Sequence, residues 1–239
     1  MAPRFYVDSE FKPDSVLVLP EKPAHHASRV LRMRDGDCAH LFNGKGIEAH
    51  AVLHFFSDRT EAHIDSVTNS QTESTLHTVL IQSLVSQEKL DWILEKATEL
   101  GVVKIVIAPS ERSVTKLDEK RLQKRLLQWK NTVISACEQC GRGLIPEVFF
   151  CGKLESALTE HKSEKNLILA PSAHKTFSLE NVHSVTFAVG PEGGFSEEEI
   201  TLAQQLGYDS TLLGPRVLRT ETAGLAALAV AQSLAGDFR

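Results

Sequence analysis

Two glycine-rich segments near the carboxyl end of the chain are the residues best suited to chemistry. The first reads Gly190-Pro191-Glu192-Gly193-Gly194-Phe195-Ser196. The second reads Leu213-Gly214-Pro215-Arg216-Val217-Leu218-Arg219-Thr220-Glu221-Thr222-Ala223-Gly224. Each leaves an apolar, strand-like run and enters a helical pattern. Glycine lets main-chain N–H and C=O groups approach a ligand that a Cβ would exclude. Open α/β sheets bind ligands at the carboxyl ends of their strands, so the pair describes a backbone cradle for a nucleotide-like cofactor. Strand-to-helix turn chemistry accounts equally well for either loop alone; their closeness in sequence favours a site. Neither loop carries G-x-x-x-x-G-K-[ST], and no G-x-G-x-x-G follows a strand, which argues against a P-loop or a dinucleotide fold. Gly44-Lys45-Gly46 reads as a hairpin turn.

The elements that must position these loops follow from the hydrophobic pattern. Residues 1 to 65 are β-rich, with short apolar runs at 16–19, 37–42 and 47–55. The turns Arg34-Asp35-Gly36-Asp37 and Asn43-Gly44-Lys45-Gly46 separate them,. A short helix is expected over 24–31, and the segment is expected to form a small β-barrel. The Ser/Thr-rich stretch 66–75 has little to bury and is taken as the boundary, giving domains 1–70 and 71–239,. Beyond it strands are expected at 79–85, 102–108, 167–170, 185–189 and 211–213. Helices are expected at 89–100, 118–140 and 222–235, and Ser196 with Glu199 forms a capping box for one more. Gly101 is a helix stop. Alternating strands and helices predict an α/β fold with a mostly parallel sheet. The last helix is apolar nearly all round and is expected to be buried on most sides.

Bulk properties set limits. With 239 residues and 42% hydrophobic content the chain can fill one large core or two modest ones,. A net charge of -5 rules out a general polyanion binder and leaves room for a local basic patch,. Four scattered cysteines do not make a disulfide scaffold and fit a reduced, cytoplasmic setting,. Met1-Ala2-Pro3-Arg4 does not begin an apolar leader, and no apolar stretch approaches the ~18 residues of a membrane span,. Cys137 and Cys140 have the spacing of half a metal site, but lie in a helical pattern without a second pair. The histidines show no ligand spacing, and no metal is expected.

The two loops together closely resemble the signature of the ribosomal RNA small subunit methyltransferase E family. Further blocks match: Lys96-Ala97-Thr98-Glu99-Leu100-Gly101-Val102, Glu111-Arg112-Ser113-Val114, and Ala136-Cys137-Glu138-Gln139-Cys140-Gly141-Arg142 before Ile145-Pro146. Near the start His26 and Val30-Leu31-Arg32 match as well. Cys140 is a mild departure, standing where a small hydroxyl residue is expected. The resemblance covers the whole chain. It implies an amino-terminal PUA-like RNA-binding barrel and a carboxyl-terminal SPOUT-type domain. In that fold the last helix threads a loop to make a trefoil knot, a rare exception to ordinary topology. It implies S-adenosylmethionine as cofactor and methylation of N3 of a uridine, the one named 1498, in the 16S ribosomal RNA of the small subunit. It also implies a homodimer. The alternative is a ribosomal-RNA-binding or assembly factor that keeps the fold without the chemistry.

On this reading the cofactor is held by Leu169, Gly190, Pro191, Glu192, Gly193, Leu213, Gly214, Val217, Leu218 and Thr220. Uridine N3–H is a poor nucleophile until its proton is lost. A positive group at the O2/N3/O4 edge stabilises the anion that develops. Arg219, beside the second loop, is the candidate. Glu221 or Glu192 can accept the proton or orient the donor. An ion pair at a helix start is the plain alternative for Arg219 and Glu221. For RNA contacts the candidates are Arg4, Arg29, Arg32 and Arg34, with Arg112 beside them. The charged run 120–125 reads as a solvated helix face.

Overall fold

The switch from two-residue to 3.6-residue hydrophobic periodicity after the first third of the chain corresponds to two units in the computed structural model, which describes residues 2–238. One unit comprises Met1–Glu73 and Cys137–Ile145; the other comprises Ser74–Ala136 and Pro146–Arg239.

In the first unit β1 (Arg4–Tyr6), β2 (Val16–Val18), β3 (Cys38–Phe42), β4 (Ile47–Phe55) and β5 (Thr60–Asn69) form one sheet in the order β1-β3-β4-β5-β2. Along β4 the residues Ala49, Ala51 and Leu53 are buried in alternation, as a strand with one wet face requires,. They join Phe5, Leu41, Ala62 and Ile64 in the core. By hydrogen bonds the five strands make one sheet that begins at β1 and ends at β2. The expected helix over 24–31 begins earlier, as α1 (Glu21–His25), and widens into a π-helical turn over His26–Val30.

The sequence boundary also shifts. Ser66, Thr68 and Asn69 belong to β5, which pairs with β4, and are exposed, while Val67 between them packs against the core. Polarity marked a solvated face, not the end of the unit. The returning segment Cys137–Ile145 lies far away in sequence. Lys45 and Leu144 form an antiparallel bridge, Ile145 N donates to Gly44 O at 3.1 Å, and Tyr6 N donates to Glu138 Oε1 at 3.0 Å. A Cβ on Gly143 would sit 2.5 Å from Ser70 Cβ, so only glycine lets this segment lie so close,. The Glu73 carboxylate accepts from Arg142 Nη2 at 2.7 Å, from Arg142 Nε at 3.1 Å and from Leu144 N at 3.2 Å.

In the second unit β6 (His77–Ser83), β7 (Lys104–Ala108), β8 (Glu147–Phe150), β9 (Lys165–Leu169), β10 (Ser184–Val189) and β11 (Asp209–Thr211) make a sheet in the order β11-β9-β10-β6-β7-β8. Every pairing is parallel. The interleaved helices are α2 (Gln87–Glu99), α3 (Glu119–Cys140), α4 (Leu154–Glu160), α5 (Glu197–Gln205) and α6 (Thr220–Ala235). Central strands covered on both faces read as continuous apolar runs. Leu80, Ile81, Phe187 and Ala188 are accordingly fully buried. Gly101 ends α2 at φ +79°, as expected. The capping box of Ser196 and Glu199 is present at α5.

Two elements were not anticipated, and two expectations need correction here. β8 and α4 had no clear signal, because four and seven residues are too few for a period to emerge. β11 ends at Thr211, two residues earlier than read; Leu212 and Leu213 leave the ladder. α6 buries one stripe, Thr220, Gly224, Ala227, Leu228, Ala231 and Gln232, while Val230 is 39% and Leu234 55% exposed. Small residues made the helix look apolar on every side, whereas its packing is one-sided.

Arg142 is only 4% exposed at its side chain, and the Glu73 carboxylate pairs with it at 2.7 Å. Glu73→Ala is expected to destabilise the first unit by roughly 3 kcal/mol, because removing one partner of a buried pair leaves a desolvated charge. Urea unfolding followed by hydrogen exchange in β3 to β5 measures it; unchanged stability would refute the assignment.

Candidate functional site

Three neighbouring strands, β11, β9 and β10, end side by side at Thr211, Leu169 and Val189. Leu169 is in register with Thr211. The chain that leaves each strand turns outward there, and the three turns enclose a cavity of about 520 Å³. That volume lies in the range of small-molecule sites, roughly 300–1,000 Å³. Strand order reverses between β6 and β10, which is where doubly wound sheets open a crevice.

The first loop is self-packed. A Cβ on Gly190 would lie 2.9 Å from Phe195 N and 3.0 Å from Gly194 C. Gly193 lies beneath Arg112, whose Cβ would be 3.3 Å from a Cβ there. Gly194 and Gly214 take φ of +67° and +84°, and a Cβ on either meets nothing within 4 Å. Glycine is needed at those two positions for the left-handed backbone, and the Gly194 N–H closes a turn on Pro191 O at 2.9 Å. Glu199 ties the loop down twice: its carboxylate accepts from Ser196 N at 2.9 Å and from Glu111 N at 2.8 Å.

The second loop is anchored by Thr220. Its hydroxyl donates to Gly190 O at 2.6 Å and accepts from Gln82 Nε2 at 3.0 Å. One buried side chain thus joins the start of α6, the first loop and the end of β6. Gln82 Oε1 and Ser83 Oγ are buried without a hydrogen-bond partner beside it.

All ten residues expected to hold a cofactor line this one cavity: Leu169, Gly190, Pro191, Glu192, Gly193, Leu213, Gly214, Val217, Leu218 and Thr220. Arg219 and Glu221 line it too. Arg219 is 84% exposed at its side chain and Glu221 18%, with Arg219 Nη1 4.0 Å from Glu221 Oε1. Sequence reasoning missed Lys89, in the first turn of α2. Its Nζ donates to Glu192 Oε1 at 2.8 Å and lies 3.8 Å from Glu221 Oε2. The Glu192 hydrogen bond pushes the Lys89 ammonium up. Burial pushes the Glu192 carboxyl up, but the Lys89 hydrogen bond, a backbone N–H and the Lys89 charge together outweigh it, leaving Glu192 below the usual carboxylate range. No local signal could have found Lys89, which precedes Glu192 by 103 residues.

The arginines expected to meet RNA divide. Arg29, Arg32 and Arg34 are exposed, and Arg32 sits at φ +54°. Arg4 is corrected: its side chain is 10% exposed, paired with Glu48 at 3.2 Å, and stacked over Phe42 at 5.1 Å. It is a structural residue of the first unit, because a buried guanidinium demands a carboxylate. Arg112 donates from Nη1 to Gly193 O at 2.9 Å and so braces the first loop.

Cys137 is buried, its thiol pushed up to about 12 by burial, and donates to Leu144 O at 3.5 Å. Among the described residues one trio could ligate a cation, Cys151, Glu160 and His161. Cys151 Sγ and His161 Nε2 are 3.7 Å apart, a thiol–imidazole hydrogen-bond distance.

Comparison with known proteins places these features. Residues 72–232 match the RNA methyltransferase domain family, and residues 19–54 match the RNA methyltransferase PUA domain family. The ribosomal RNA small subunit methyltransferase E of Buchnera aphidicola (subsp. Schizaphis graminum) is 32% identical across 99% of this chain and 98% of its own. A ribosomal RNA small subunit methyltransferase E from Neisseria gonorrhoeae, solved bound to S-adenosyl methionine, has a TM-score of 0.91 at 38% identity, covering both chains fully. A methyltransferase from Legionella pneumophila, solved with bound SAM, has a TM-score of 0.93 at 37% identity, again over 100% of both chains. With this similarity running from end to end, and with the two glycine loops meeting in one cavity, the chain belongs to the ribosomal RNA small subunit methyltransferase E family.

Proposed function

We propose that this protein uses S-adenosylmethionine to methylate N3 of a uridine in the 16S ribosomal RNA of the small ribosomal subunit. The observation that carries this reading is the single cavity formed where both glycine loops close over the ends of β9, β10 and β11. The lining fits the cofactor's chemistry. Main chain at Gly193 and Gly214 lines the cavity beside a nucleoside, and Leu169, Leu213, Val217 and Leu218 supply apolar walls. When bound, the cofactor supplies an electrophilic methyl group on a positively charged sulfur, which leaves as a neutral thioether.

The chain's own residues do the rest. Arg219 is exposed at the cavity and is free to meet the O2/N3/O4 edge of a uridine, where it stabilises the anion,. Glu221 stands next to it and takes the N3 proton, whose electron pair then serves the new N–C bond. A base inside a duplex cannot reach such a cavity, so the target uridine is unstacked when it reacts. Arg29, Arg32 and Arg34, exposed on the PUA-type unit, hold phosphates and add salt dependence,. The open apolar face of α6, with Val230 and Leu234, supports a homodimer,. The trefoil knot and a cytoplasmic location belong to the same reading. No helix among the described residues is long and apolar enough to cross a membrane.

Calorimetry is expected to show S-adenosylmethionine binding by the isolated protein. Gly190→Ala forces a Cβ against the loop's own backbone and is expected to weaken that binding at least about tenfold, some 1.4 kcal/mol. Unaltered affinity would remove the first loop from the site. Arg219→Ala is expected to bind the cofactor normally while kcat for RNA methylation falls by roughly 10²–10³, the usual loss of one charge-stabilising donor. Mass spectrometry of 16S ribosomal RNA from cells with and without the gene decides the reaction itself. A wild-type protein that binds ribosomal RNA and leaves no methyl mark would point to an assembly factor.

A further inference from the structure

Lysine in the first turn of a helix opposes the positive end of the helix dipole. Lys89 occupies that position in α2, so helix stability does not explain it. Its surroundings do. The ammonium is half-buried and reaches the two acids that line the cavity from different segments. It donates to Glu192 of the first loop at 2.8 Å. It lies 3.8 Å from Glu221 Oε2, an atom that is buried and has no hydrogen-bond partner. The other oxygen of the same carboxylate, Oε1, lies 4.0 Å from the exposed guanidinium of Arg219. The Glu221 carboxylate therefore stands between two cations that both line the cavity, one half-buried and one exposed.

We propose that Lys89 is a positioning residue for the methyl-transfer reaction: it holds Glu221 by the buried Oε2 and so reserves Oε1 for Arg219 and the uridine edge. The proposal rests on the reading of the cavity as a uridine methyltransferase site. The buried Oε2 of Glu221 accepts no hydrogen bond, so a neighbouring cation is what fixes the orientation of the carboxylate,. Without Lys89 the buried oxygen has no cation, and the carboxylate turns toward Arg219 as its only remaining charged partner. Arg219 is then drawn from the substrate, and the base is misaligned. Glu192, which shares the ammonium, keeps the lysine protonated and in place. The charged groups that face Glu221 are thus Lys89 from α2 and Arg219 from the preceding loop, with Glu192 behind the lysine.

The test is steady-state methylation of small-subunit RNA by the full-length wild type and by Lys89→Met, Lys89→Arg, Glu221→Gln, Glu192→Gln and the double variant Lys89→Met/Glu221→Gln. Cofactor affinity is measured on each by calorimetry and folding by thermal melting. Lys89→Met is expected to lower kcat about tenfold or more, with KM for RNA and cofactor affinity each changed by less than about threefold. Lys89→Arg is expected to recover most of kcat. Residues that act as a unit are not additive, so Lys89→Met is expected to lower kcat less than about twofold in the Glu221→Gln background. Effects that multiply in the double variant overturn the proposal, as does retained kcat in Lys89→Met. A loss confined to cofactor affinity and reproduced by Glu192→Gln also overturns it, because Lys89 then serves the first loop alone. If Lys89→Met fails to fold, Lys89→Gln is compared in the wild-type and Glu221→Gln backgrounds in its place, with the same expected and overturning results. Absence of methylation by the wild type fails the underlying reading instead, and is told apart by that result.

Discussion

The buried hydroxyl of Thr220 is the interaction on which the cavity depends. It spends both its hydrogen-bonding capacities inside the protein, one on Gly190 O and one on Gln82 Nε2. A hydroxyl left unpaired in such a place costs free energy on the order of 1–3 kcal/mol, so the three segments hold one another in register. β6 supplies the glutamine, the first loop supplies the carbonyl, and α6 begins at the threonine. The second loop is thereby pinned at its end, and the eight residues between Thr211 and Thr220 must arch over the strand ends. That arch is one wall of the cavity. The glycines complete the geometry: Gly190 permits the first loop to fold on itself, and Gly214 permits a left-handed turn in the second.

Around this framework the charges are arranged in a chain rather than scattered. Lys89 joins Glu192 to Glu221, and Glu221 leads to Arg219. Glu221 is the most buried of these charges, Lys89 and Glu192 are half-buried and compensate each other, and the exposed Arg219 guanidinium keeps its capacity for a ligand. Arg112 extends the logic to the outside, bracing Gly193 O from a loop more than eighty residues earlier. The site is small, but it draws on β6, α2, the loop before α3, both glycine loops and α6.

Much of the fold was legible. Apolar runs in β6, β7, β9 and β10 and the helical period of α2 and α3 are strong enough to read directly. The Ser196–Glu199 capping box and the Gly101 stop were read correctly because their physics is local,. Errors arose where the information was not local. Ser66 to Asn69 looked like a linker because only their outward face shows in the sequence. Arg4 looked like a surface cation because its partners, Glu48 and the Arg142 carbonyl, lie far along the chain. α6 looked buried all round because small apolar residues do not declare which stripe packs.

By itself the sequence determined the alternation of elements, the place of both glycine loops at strand ends and, through its motifs, the family. Glycine and capping residues act on their immediate neighbours, so their consequences can be read in order. The tertiary structure alone decided that Cys137–Ile145 completes the first unit, that Thr220 locks three segments together, and that Lys89 meets Glu192 and Glu221. Each of those depends on the order of strands in a sheet, where β6 and β10 are neighbours although they lie 100 residues apart. Hydrophobic periodicity specifies that a strand exists and which face is buried, and says nothing about which strand lies beside it.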